Sequence, residues 1–160
     1  MAPTQQKVLY LTKKQGSFEV HTADVPKPGP GQILVKVEAT ALNPVDWKIQ
    51  VYGPFIEEFP AILGSDAAGT VEELGEGVTG FAKGDRVCVT ELPMLFVLHL
   101  TFPLRSSLAQ GVIGTNASST FQQYTVLNAD VTAKVSGLSY TPLCVKTPWL
   151  TCVMLRSLTT

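Results

Sequence analysis

Four residues within ten positions carry most of the chemistry this chain of 160 residues could offer: Asn43, Asp46, Lys48 and Tyr52. The Asn43 amide can donate and accept at once, so it could orient a polar group. It also precedes Pro44, and Asn-Pro is turn chemistry in its own right. Lys48 is a cation that could steady negative charge forming on an oxygen, or a solvated lysine on a helix face. Tyr52 could give its hydroxyl to a pocket, or pack beside Gly53-Pro54. Asp46 suits a helix start, where an acid braces the first turn, better than acid–base work. Cys88 is expected to be a buried strand residue, because no His accompanies it in a nucleophile motif. His21 and His99 stand alone, a pattern more typical of structural histidines than of metal ligands.

The elements that must position these residues are mostly strands. Lys7–Thr12 is β-rich, and Phe18–Thr22 follows the Lys13–Gly16 turn. Pro26–Gly31 is a loop, since proline lacks the amide donor and fixes φ. Gln32–Ala39 sets apolar residues against Lys36 and Glu38, the period-two mark of a half-buried strand. Val45–Val51 makes one or two helical turns, ended by Gly53-Pro54. Phe59–Gly64 is a short buried segment, and Ala67–Glu73 and Arg86–Thr90 are strands. Gly75, Gly77, Gly80 and Gly84 mark turns where positive φ is expected. Further on, Phe121–Leu127 alternates as a strand, Asn128–Asp130 turns, and Val131–Val135 is a short strand. Gly137–Thr160 shows neither a helical nor a strand period. These patterns describe a mainly β fold with few short helices.

Composition narrows the function classes. Hydrophobic residues make up 45% of the chain and charged residues 16%, enough apolar content for a core. Net charge is −1 and the basic residues are scattered, which argues against a nucleic-acid surface. Of 13 acidic residues, 12 precede Leu92, as do 8 of the 12 basic ones, which leaves −4 before that point and +3 after it. A shift this sharp suggests two segments of different history. Cys88, Cys144 and Cys152 are three, an odd number without disulfide spacing, and no signal peptide is visible, so a reduced cytoplasmic protein is expected. Leu92–Leu104 is apolar but too short and too interrupted, by His99 and Pro103, for a membrane helix, which needs roughly 20 residues.

Three stretches together resemble the medium-chain dehydrogenase/reductase superfamily. They are Pro28–Val37 with Ala41–Lys48, then Pro60–Val71, then Leu74–Val87; the likeness returns at Thr120–Val135. Within the superfamily the chain is most similar to quinone oxidoreductases and to the fungal enoyl-reductase-like branch that acts beside polyketide synthases. The resemblance implies a GroES-like, partly open β-barrel spanning residues 1–135, with 92–114 as an atypical insertion and 136–160 as an atypical tail. It also implies an NADPH-dependent oxidoreductase acting on a small enone, enoyl or quinone substrate. Lys48 and Tyr52 would be catalytic, and Asn43 and Asp46 would bind the cofactor. A homo-oligomer is left open; neither nucleic acid nor membrane is expected as a partner.

The departures from the pattern matter as much. Zinc-dependent relatives carry Cys where this chain has Asn43, and Gly-His-Glu where it has Gly64-Ser65-Asp66. Amide and hydroxyl are poor zinc ligands, and the four-cysteine structural lobe is missing, so no metal is expected. Without zinc, a substrate oxygen must be polarised by hydrogen bonds or a proton donor, which suits double-bond reduction. The Rossmann domain is also absent: no G-x-G-x-x-G phosphate turn follows the return strand, and Gly111–Gly114 does not replace it. The expectation is a truncated form, inactive alone. Two other readings stay open: a non-catalytic GroES-like interaction module using the apolar Leu92–Leu104 run, or a non-functional splice or gene-model product. Transcript reads joining the codons near Thr90 to those near Asn116 would support the last. A peptide from Leu92–Arg105, without such reads, would exclude it.

Overall fold

Strands form wherever alternation lets the chain bury one face. The computed structural model describes residues 2–53, 56–89 and 116–135, together with the backbone of Met154–Arg156. Strand β1 (Gln5–Leu11) turns Gln6, Val8 and Leu11 inward. It pairs antiparallel with β2 (Phe18–Asp24) on one side, from Gln5↔Asp24 to Leu11↔Phe18. On the other side it pairs with β4 (Ala61–Ile62). The second sheet is centred on β3 (Gln32–Ala41). Its order is β7 (Tyr124–Asn128), β3, β5 (Ala67–Leu74), β6 (Arg86–Val89) and β8 (Ala133–Lys134). Strand β9 (Met154–Arg156) pairs with the far end of β3, at Ala39–Ala41. Among the described residues neither sheet closes on itself, so the architecture is mainly β and partly open.

Each sheet supplies one core. Val8, Leu11, Ile49, Ile62, Leu63 and Phe121 meet over the first sheet; Ile33, Val35, Val71, Val87, Val89 and Leu127 meet under the second. Two buried amides stitch the sheets together. Gln6 donates to Gln122 Oε1 at 2.9 Å, and the Tyr124 N–H donates to Gln6 Oε1 at 2.7 Å. Buried amides need such partners, because an unmet polar group costs about 1–3 kcal/mol.

The helix α1 (Pro44–Tyr52) starts where proline's fixed φ and a first-turn acid favour it. It stops at Gly53, whose φ of 66° lets its N–H reach the Ile49 carbonyl at 2.8 Å. Nine residues is too short for a stable isolated helix. It buries Ile49 and must be held at its ends.

The structure departs from the sequence pattern at several points, and of the expected strand Val131–Val135 only Ala133–Lys134 is strand, Val131 closing a 3-10 turn. The second strand runs on to Asp24 with most of both faces exposed. The return strand begins at Tyr124 rather than Phe121, because the backbones of Phe121 and Gln123 bond across to β1. The tail, which shows no clean helix or strand period, contributes β9, which owes its pairing to β3. Cys88 is half-buried rather than buried. Gly77, Gly80 and Gly84 have positive φ, but Gly75 does not; a Cβ there would collide with the Gly29 carbonyl oxygen, so close approach sets that position. The expected insertion at 92–114, with His99, and the tail except for β9, with Cys144 and Cys152, lie outside the described residues. No helix among the described residues is long and apolar enough to cross a membrane.

Candidate functional site

The site is built where the end of β3 and the start of α1 meet the turn after β4. At Gly64 the chain takes φ 90°, and a Cβ there would run into the Phe121 ring and the Thr120 hydroxyl. Glycine therefore lets residues 63–66 press against 120–121, with Thr120 N–H to Gly64 O at 3.0 Å and Phe121 N–H to Leu63 O at 2.9 Å. Thr40 Oγ1 donates to Asp66 O at 2.8 Å. Its single proton is then committed, so Thr120 Oγ1 donates to Thr40 Oγ1, also at 2.8 Å.

This packing delivers Ser65 and Asp66 to Asn43. The Asn43 amide nitrogen donates to Ser65 Oγ at 3.3 Å and to Asp66 Oδ2 at 3.1 Å. Asn43 is also the N-cap residue of α1, arranged with Asp46 as a capping box. The Asp46 arm is a full bond: its Oδ2 accepts the Asn43 N–H at 2.7 Å. In the other arm the Asn43 side chain faces the Asp46 N–H, which donates to the Asn43 backbone carbonyl at 3.0 Å, while the Asn43 Nδ2 serves Ser65 and Asp66. Asp46 is buried, 6% exposed, and takes a second backbone N–H from Gly64. Burial pushes its carboxyl up to about 6; the two N–H groups oppose this and the Asp66 charge adds to it.

Lys48 and Tyr52 belong to a different surface. Both are exposed, Tyr52 by 65%, and they flank Trp47. Lys48 Nζ lies 5.8 Å from the centre of one Trp47 ring, and the Tyr52 ring sits 6.0 Å from Trp47, tilted by 55°. Tyr52 is thus not packed away beside Gly53. At 1.5 Å per residue it stands about 13 Å along the helix from Asn43. The four predicted residues therefore form two pairs: Asn43 with Asp46 at a buried polar end, Lys48 with Tyr52 on a solvent-facing aromatic edge. An apolar cavity of about 190 Å³ between β1 and β3 is lined by none of the four.

Sequence reasoning missed Trp47 and did not see Ser65 and Asp66 as partners of Asn43. A helical wheel could have found Trp47, since two residues at 100° each put it nearly opposite buried Ile49. Nothing local signals the Asn43–Asp66 bond, which spans 23 positions.

The donor set offers a metal little. Among the described residues no three His, Cys, Asp or Glu groups lie together closely enough to hold one. The Asn43 amide protons already point at the oxygens of Ser65 and Asp66. Nor is there a seat for a dinucleotide's phosphates at the start of α1, where the buried Asp46 carboxylate takes the amide that an anion would need.

Residues 29–137 match the family described as the alcohol dehydrogenase GroES-like domain. The dehydrogenase orsE of Emericella nidulans is 50% identical over 78 residues, 49% of this chain and 22% of its own length. The trans-enoyl reductase tndF of Aspergillus flavipes is 34% identical over 128 residues, 79% of this chain and 32% of its own. The chain thus spans about a third or less of the length of these curated relatives. Among solved structures, a cobalt- and zinc-bound thermostable alcohol dehydrogenase from Pyrobaculum aerophilum superposes with a TM-score of 0.66 at 26% identity, covering 83% of this chain and 42% of that one. The chain belongs to the alcohol dehydrogenase GroES-like domain family, the N-terminal part of the medium-chain dehydrogenase/reductase superfamily.

Proposed function

We propose that this domain is the substrate-facing half of a zinc-independent, NADPH-dependent reductase of polarised carbon–carbon double bonds, in an enone, enoyl or quinone substrate. One observation carries the reading: the Asn43 amide donates into Ser65 and Asp66, at positions where the resemblance to zinc-dependent relatives implies metal ligands. An N–H donor takes the place of a cation. The oxygen of the substrate must then be polarised by protein hydrogen bonds.

Lys48 and Tyr52 are the groups we assign to that task. Both are N–H or O–H donors within reach of solvent, and the aromatic edge they share with Trp47 offers a flat apolar surface to a conjugated substrate. Asn43 and Asp46 would border the cofactor; what they do within this chain is hold α1 against the Gly64 turn. The start of α1 does not fit the phosphates of NADPH, and the G-x-G-x-x-G run at Gly75–Gly80 lies between strands β5 and β6 and opens no helix. A nucleotide-binding domain beyond these 160 residues is therefore part of the proposal.

The test has two arms. A fluorescence titration of the chain with NADPH should give no saturable binding in the micromolar range. Fused to a Rossmann-type NADPH-binding domain, it should oxidise NADPH in the presence of an enone, at a rate that strong zinc chelators leave unchanged. Chelator-sensitive turnover, or oxidation of simple alcohols in its place, would overturn the reading.

A further inference from the structure

The C-terminal end of α1 is held by the β1–β2 turn, 36 positions earlier in the chain. Three contacts converge there. Gln15 Nε2 donates to the Val51 carbonyl at 3.0 Å, and Gln50 Nε2 donates back to the Gly16 carbonyl at 3.1 Å. The aliphatic stem of Lys14 lies over Gly53, in the space where a Cβ would stand. Gln15 adopts φ 57°, the single non-glycine residue with positive φ among the described residues. Such a backbone is unfavourable for an ordinary side chain and persists where the surrounding structure holds it. The last helical carbonyls have no intrahelical partners, and α1 has no basic residue in its last turn. The β1–β2 turn supplies what the helix lacks, an N–H donor from Gln15.

We infer that Gln15 is a positioning residue that sets the Lys48–Tyr52 edge through the last turn of α1. Calling that edge catalytic rests on the function proposed above; its being fixed by the turn does not. The test uses the full chain with Trp149→Phe, so that Trp47 is the sole indole. Gln15→Glu keeps the shape but cannot donate, and Gln15→Arg restores a donor. With Gln15→Glu we expect amides of Val51–Gly53 to exchange about tenfold faster, with β1 and β3 amides unchanged, and the near-ultraviolet dichroism of Trp47 to weaken. Gln15→Arg should recover both signals. Two outcomes overturn the inference: exchange and dichroism that ignore the substitution, or faster exchange spread evenly over β1 and β3. Neither readout depends on reductase activity, so a failed enzyme assay with an intact donor series would reject the catalytic reading and leave the positioning role standing.

Discussion

The two ends of one short helix solve the same problem in opposite ways. The start of α1 is polar and largely withdrawn from solvent: Asn43, Asp46, Ser65 and Asp66 bond to one another, with Asp46 and Ser65 buried. Its far end and outer face are exposed, with Trp47, Lys48 and Tyr52 in solvent and the Val51 carbonyl met by Gln15. The buried end gains a fixed geometry and carries the cost of desolvating a carboxylate. The exposed edge costs the fold little and keeps its donors available. The comparison predicts that substitutions at the buried end change stability, and that substitutions on the exposed edge change chemistry.

The largest effect should come from Gly64→Ala. The backbone there sits at φ 90° and the new methyl meets Phe121 and Thr120. Strain and overpacking together should remove about 3 kcal/mol, read as a lower denaturant midpoint at unchanged slope. A loss below about 0.5 kcal/mol would mean that the 63–66 turn is not pressed against 120–121.

Asp46 gives the second effect, and its sign is set by burial. Its folded pKa, about 6, lies above the ordinary 3.8, so the fold binds this proton more tightly than the unfolded chain does. The stability this contributes is complete below about pH 4 and is lost as pH rises through about 6, on the order of 2 kcal/mol in all. Asp46→Asn cannot titrate, so its stability should change less than that of the parent between pH 4 and pH 7. Parallel profiles for the two proteins would show that the carboxyl is better solvated than the fold implies.

What could be read in advance follows the same division. The strands were legible because Lys36 and Glu38 interrupt an apolar run at a spacing that only a half-buried strand satisfies. The helix was legible from Asn43-Pro44, Asp46 and Gly53, all local signals. The site was legible as residue types but not as an arrangement. Lys48 and Tyr52 read as companions of Asn43 because ten positions of sequence hide a helix of about 13 Å. The bonds that hold the helix join residues 23 and 36 positions apart, and no period or propensity reports such pairs. Gln15 is the sharpest case: its left-handed backbone sits in the β1–β2 turn, its amide reaches a helix 36 positions away, and glutamine gives no hint of either.

The smallest effect on stability should come from the residues assigned the chemistry. The side chains of Lys48 and Tyr52 make no hydrogen bond among the described residues, and their contacts with Trp47 are exposed. Lys48→Ala and Tyr52→Phe should therefore each stay within about 0.5 kcal/mol of the parent. In the fusion with an NADPH-binding domain, each should instead lower kcat/KM for an enone by about 10- to 100-fold, because a donor to the substrate oxygen acts most strongly on the charge that forms there. Tyr52→Phe keeps the ring beside Trp47 and removes only the hydroxyl, so a full loss of rate would assign the proton to the phenol. If instead Lys48→Ala removes the rate and Tyr52→Phe does not, the ammonium carries the polarisation and the tyrosine serves as surface. If both variants turn over at the parent rate while Asn43→Ala does not, the chemistry belongs to the buried end, and the division of labour between the two ends is wrong.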